Sequence, residues 1–143
     1  MDYEELASKL LEIKADLLQV PANQKISKML RGELFVLNYL AEHKEGVHPK
    51  ELSEKLIVST ARIATLLNHM EEKGFIVRLE DPHDNRQIIV QLTSTGVETI
   101  EKTRRDVHLC IVKMLEDLGP EDAREYIRIQ EKIYRKYLNE MKS

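Results

Sequence analysis

Glu80-Asp-Pro-His-Asp-Asn-Arg86, followed by Gln87-Ile-Ile-Val-Gln-Leu92, is the stretch whose reading decides the fold. It places a charged, turn-forming tip between two short apolar runs, Phe75–Leu79 and Gln87–Leu92. In the second run Ile88, Val90 and Leu92 alternate with Gln87, Ile89 and Gln91, the period of a half-buried strand. Proline presets one turn angle, and Asp and Asn side chains bond their own backbone, so Asp-Pro and Asp-Asn join two strands into a hairpin with a solvated tip. Just upstream, within Ser59–Lys73, Ile63, Leu66, Leu67 and Met70 recur at the spacing of one helical face. A helix therefore leads directly into a hairpin that carries an arginine, Arg86, at its tip.

Ser59 is a good N-cap for that helix, and Lys73-Gly74 stops it with a residue free to take positive φ. Before it, Pro49 suits the first turn of another helix, where its missing N–H costs nothing, and Leu52 and Leu56 form the buried face. Ile57-Val58 is the turn between the two. Helix, short turn and capped helix is the helix-turn-helix pattern, whose second member normally enters the major groove. With the hairpin after it, the predicted fold is mainly α with a small β-hairpin wing, a winged helix-turn-helix.

The flanks are helical. Asp2 with Glu5 caps an opening helix striped by Leu6, Leu10, Ile13, Leu17 and Leu18 and ended by Val20-Pro21. Ala22–Ser27 reads as a linker. A second helix is expected from about Leu30 to His43, with Leu34, Leu37, Leu40 and Ala41 inward, and Gly46-Val47-His48 as a very short edge strand. After the wing a long helix runs to Leu118, capped by Thr93 or by Thr95 with Glu98, and striped by Val97, Ile100, Val107, Ile111, Met114 and Leu118. Gly119-Pro120 breaks it, and a last helix carries Ile127, Ile133, Tyr134, Tyr137, Leu138 and Met141. The expected organisation is a single domain over 1–143, with a winged-helix lobe at 30–92 and helical dimerisation regions at 1–27 and 93–143. Terminal helices this apolar are hard to bury on one small wing domain, so an intertwined homodimer is expected; the alternative is a monomer that folds them back on itself.

Composition bounds the rest. The chain has 143 residues, five glycines, one cysteine and 42% hydrophobic content, which suits a globular helical domain without a disulfide framework. No apolar run approaches a membrane span and the acidic start is no signal peptide, so a cytoplasmic protein is expected. Net charge is −3, and between Pro49 and Leu92 six basic residues face seven acidic ones. Nucleic-acid binding then depends on arrangement: Arg62 and Arg86 on one face, with Glu71 and Glu72 on the far side.

In order and spacing, these pieces resemble the MarR family of bacterial transcriptional regulators. The resemblance rests on Asp84-Asn85-Arg86, on Ile88-Ile-Val-Gln-Leu-Thr93-Ser-Thr-Gly96, on Val36-Leu37-Asn-Tyr-Leu40-Ala-Glu-His43 and on Met70-Glu-Glu-Lys-Gly74-Phe-Ile76. It covers about Leu34 to Gly96 by motif and the flanking helices by position only. It implies a homodimer on a pseudo-palindromic operator in double-stranded DNA, one recognition helix per half-site. Ser59, Thr60, Arg62, Thr65, Asn68 and His69 would then lie on or near the groove side. Arg62 would grip a guanine or a phosphate, and Asn68 would read an adenine edge or hold a phosphate. Arg86 would enter the minor groove with Asp84 orienting it, and Lys50 would contact a phosphate. Three departures stand out: Ile57 where a small turn residue is common, Thr65 where a basic residue is frequent, and His48 where a capping hydroxyl is usual.

No paired nucleophile and base, glycine-rich phosphate cradle or HExxH motif is present, so no enzyme and no cofactor is expected. The five histidines and Cys110 show no tight ligand spacing, and no metal site is assigned. The expected function is a ligand-responsive repressor released by a small-molecule effector of unknown binding site. A metal-dependent regulator and a winged-helix protein-interaction module are the alternatives.

Overall fold

Asp2 caps the first helix, α1 (Tyr3–Leu17), its carboxylate accepting from the amides of Glu4 and Glu5 at 3.0 and 3.1 Å. The computed structural model describes every residue from Met1 to Ser143. Val20-Pro21 does not end α1: the helix stops at Leu17, and Pro21 instead opens α2 (Pro21–Met29), the stretch read from the sequence as a linker. Proline at a first helical position loses only an N–H the helix does not use. Ala22, Ile26 and Met29 then give α2 an inward stripe at i, i+4 and i+7. Leu30, read as the start of the next helix, closes α2, and α3 runs from Gly32 to Glu42.

Helices α4 (Pro49–Leu56) and α5 (Thr60–Glu72) follow as the sequence predicts, with Ser59 capping α5 through a 3.1 Å bond from the Arg62 amide. Their apolar faces meet in one core: Val36, Leu37 and Leu40 of α3, Leu52 of α4, and Ile63, Leu67 and Met70 of α5. Val36 was absent from the predicted inward set of α3, yet it is wholly buried. Between α4 and α5 the chain turns on Ile57, which takes the left-handed region (φ 57°, ψ 52°) with 89% of its surface exposed. That conformation costs an L-residue about 1–2 kcal/mol, more for a β-branched one, and Ile57 buries nothing in return. Ile57→Gly is therefore expected to stabilise the fold by about 1 kcal/mol, after glycine's larger unfolded-state entropy is subtracted. Urea midpoints of the two proteins check this.

Gly74 (φ 78°) stops α5 and leads into an antiparallel hairpin, β1 (Ile76–Asp81) with β2 (Asp84–Leu92). The strands continue into the charged tip, so only Pro82-His83 lies between them rather than seven residues. Pairing runs from Ile76↔Leu92 to Glu80↔Ile88, then jumps to Asp81↔Asp84. Asn85, Arg86 and Gln87 are thus extra residues on β2, a bulge at the end of the wing. The simple alternation of β2 also fails: Ile89 and Val90 are both buried while Ile88 is half exposed. The reason is a cover on the second face. Val47 bridges to Val90, and the backbone at Gly46 lies so close that a Cβ there would sit 2.9 Å from Ile89 Cδ1.

Thr93 begins α6 (Ser94–Leu118), its hydroxyl oxygen accepting from the Gly96 amide at 3.1 Å, so Thr93 rather than Thr95 is the cap. The same hydroxyl donates to the Gly74 carbonyl, and the Thr93 amide donates to Phe75 O at 3.0 Å. The last helix, α7, spans Pro120–Lys142. The chain forms two compact units, Met1–Val107 and His108–Ser143. Neither α1 nor any residue of the second unit has a buried side chain, and both units leave large apolar side chains exposed, including Leu10 and Leu11 in the first and Ile133, Tyr134 and Met141 in the second. No helix is long and apolar enough to cross a membrane.

Candidate nucleic-acid interface

Burying Ile63, Leu67 and Met70 fixes which side of α5 faces out. At 100° per residue Ala61, Thr65, Asn68 and Glu72 form the outward stripe, with Arg62 and His69 on one flank, and all six are exposed. Glu72 is therefore not on the far side of the helix, as the charge argument expected. It shares the stripe and is separated from Arg62 along the axis, about 15 Å at 1.5 Å per residue. Ser59 and Thr60 are exposed at the start of α5, and Lys50 is exposed in the first turn of α4. The Thr65 hydroxyl donates to Ala61 O at 3.1 Å, so only its lone pairs face solvent.

Asn68 differs most from expectation. Its Oδ1 accepts from Arg78 Nη2 at 2.7 Å. A guanidinium has no acceptor, so the oxygen of the amide must be the atom facing it. Paired donor and acceptor reading of an adenine edge needs that oxygen, and one of its two lone pairs is already engaged. Arg78, which lies on β1 between the exposed Val77 and Leu79, was not singled out from the sequence. Its signal was slight: one basic residue within the otherwise apolar run Phe75–Leu79. The Arg78 Nε is buried without an acceptor, so the bond to Asn68 is the one hydrogen bond its side chain makes.

At the wing end, Asp84 Oδ1 accepts from both the backbone amide and the Nε of Arg86, at 3.1 and 3.2 Å. The Arg86 side chain is 88% exposed. Such a pair contributes at most about 1 kcal/mol to stability, but it aims the guanidinium and leaves its Nη groups free. The wing is tied back to the helices close to its tip. His48 caps nothing with its side chain; its Nε2 lies 2.7 Å from Asp81 Oδ2 instead. The His83 amide donates to the other Asp81 oxygen, and this bond, followed by the one to His48, holds the Asp81 carboxyl below the usual carboxylate range.

Two further contacts fix the frame. Tyr39 of α3 donates to Glu51 of α4 at 2.6 Å, and that bond, with desolvation, pushes the phenol up to about 12. Arg104 of α6 donates to Asn38 Oδ1 and Glu42 Oε1 of α3, each at 2.6 Å. Beside it lies a hollow of about 570 Å³ between α3, the end of β2 and the start of α6, lined by Ala41, Gln91, Val97, Ile100 and Arg104 among others. No three His, Cys, Asp or Glu side chains come together, and Cys110 is half-buried and free.

A family model described as MarR family matches residues 27–87. YdgJ of Bacillus subtilis, an HTH-type transcriptional regulator, is 30% identical over 99 residues, which are 69% of this chain and 58% of that protein. The transcriptional repressor MprA of Escherichia coli is 28% identical over 128 residues, 90% of this chain and 70% of that one. The chain thus spans little more than half the length of YdgJ. Among solved structures, FabT of Streptococcus pneumoniae in complex with DNA superposes with a TM-score of 0.71 at 22% identity, covering 98% of this chain and 99% of that one. At that identity the likeness is one of fold.

Proposed function

The chain belongs to the MarR family, and from that premise we propose that it acts as a homodimeric, sequence-specific DNA-binding repressor. The observation that carries this is the state of two arginines: Arg62 exposed on the first turn of α5, and Arg86 aimed by Asp84 at the far end of a bulged wing. Each is free to pair with DNA, Arg62 with a guanine edge or phosphate and Arg86 with the narrow, negative minor groove of A·T-rich sequence. Lys50, Ser59, Thr60, Thr65, Asn68 and His69 are proposed to supply the surrounding contacts, Thr65 as an acceptor only. A dimer would cover the apolar faces that α1 and α7 leave exposed. The repressor of Escherichia coli and the DNA complex of FabT support the reading.

Release is proposed to follow when a small molecule enters the hollow beside Arg104, where α6 meets α3. A ligand preferring the non-binding conformation about 100-fold shifts the equilibrium by about 2.7 kcal/mol, enough to empty an operator of moderate affinity.

Duplex binding across a salt series tests the core of the proposal. Affinity is expected to fall steeply and linearly on a log–log plot, since each neutralised phosphate releases counterions. Arg86→Ala is expected to weaken binding roughly tenfold on A·T-rich flanks and much less on G·C-rich ones. A flat salt response would favour a protein-docking module instead, and an Arg86→Ala protein that binds like wild type removes the wing from the interface.

A further inference from the structure

We infer that Arg78 is a specificity-determining positioning residue: by holding the carbonyl of Asn68, it fixes the direction in which the recognition helix presents that amide and turns its NH₂ outward. This rests on the DNA-binding reading above and deepens it.

The geometry leaves little choice. Arg78 sits on β1 and Asn68 on the outward stripe of α5, and the 2.7 Å bond between them joins wing to helix. Because arginine only donates, the amide is locked with Oδ1 toward the wing and its NH₂ turned away. A free asparagine reads adenine through two bonds, accepting from N6–H and donating to N7. A held asparagine keeps one oxygen lone pair, but the guanidinium beside it disfavours a second donor there, so with its NH₂ turned outward it favours an edge rich in acceptors, the N7 and O6 of guanine or the O4 of thymine. Arg78 thus decides which base Asn68 recognises without touching DNA. Alternative orders do not work as well: Arg78 has a buried Nε, and its side chain makes no other bond that explains where it points.

The test compares the sequence preference of four full-length proteins by selection from random duplexes, followed by titration on duplexes differing at one base pair. The proteins are wild type, Arg78→Met, Asn68→Asp, and Arg78→Met with Asn68→Ala. Methionine keeps the apolar stem and frees the amide, so Arg78→Met should shift preference about tenfold toward adenine at one position per half-site. The shift should vanish when Asn68 is also alanine. Asn68→Asp retains a partner for Arg78 but replaces both outward donors with an acceptor, so preference at that base pair should move to cytosine, whose N4 donates. An even loss of affinity across all sequences in Arg78→Met, or a shift that survives in the double variant, overturns the inference while wild-type selectivity still upholds the DNA-binding reading. A wild type that selects no duplex at all overturns both.

Discussion

Gly96→Ala is expected to destabilise the protein by about 3 kcal/mol, the upper end of what overpacking costs. A Cβ at this position would lie 2.2 Å from the carbonyl oxygen of Phe75 and 3.1 Å from Leu92 Cδ2. The obstacle is backbone, and it cannot swing aside as a side chain would. That same carbonyl accepts the Thr93 amide, and Thr93 caps α6 and bonds Gly74, so the strand entering the wing and the helix leaving it are pinned at one place. Relieving the contact means moving α6 away from β1, which unpacks Ile100 from the core shared with Ile76. Gly96 does not have positive φ, so the effect is purely steric. Chemical denaturation of the two proteins measures it; an unchanged midpoint would show that α6 can shift freely.

Arg62→Ala is expected to cost about 1–3 kcal/mol of operator affinity, roughly 5- to 150-fold, and to relax selectivity at one base pair per half-site. Little stability should be lost, because the Arg62 side chain is exposed and enters none of the chain's hydrogen bonds or ion pairs, while its backbone amide continues to bond Ser59. The readout separates two roles. Loss at one base pair identifies a guanine contact; equal loss on every duplex, with a salt slope shallower by about one, identifies a phosphate contact. Equal binding on all duplexes at wild-type strength takes α5 out of the groove. Combined with Arg86→Ala the losses should add, provided the two residues share no partner.

Much of this architecture is legible in the residues. The spacing of Ile63, Leu67 and Met70, the Ser59 cap and the Gly74 stop give α5 to within a residue, because local chemistry and core packing agree there. The misreadings have local physical causes. Pro21 was read as a stop although proline serves equally as a start, and only the packing of Ala22 decides between them. The alternation in β2 failed because the loop at Gly46-Val47 covers a second face, a contact between residues more than forty positions apart that no strand period records. The seven-residue tip was overestimated because turn-forming residues also fit a bulge. Within the site, the individual residues were legible but the bond between Asn68 and Arg78 was not. Side-chain partners across two elements depend on register and twist, which the order of residues does not state.

The wing is held along its length: the Thr93 bonds grip its root, Val47 bridges Val90, Asn68 takes Arg78, and His48 reaches Asp81 beside the tip. Arg86, on the three-residue bulge between Asp84 and Ile88, therefore stands on a braced arm. A shift of α4 or α5 would be passed on to its guanidinium instead of being absorbed by a bending hairpin.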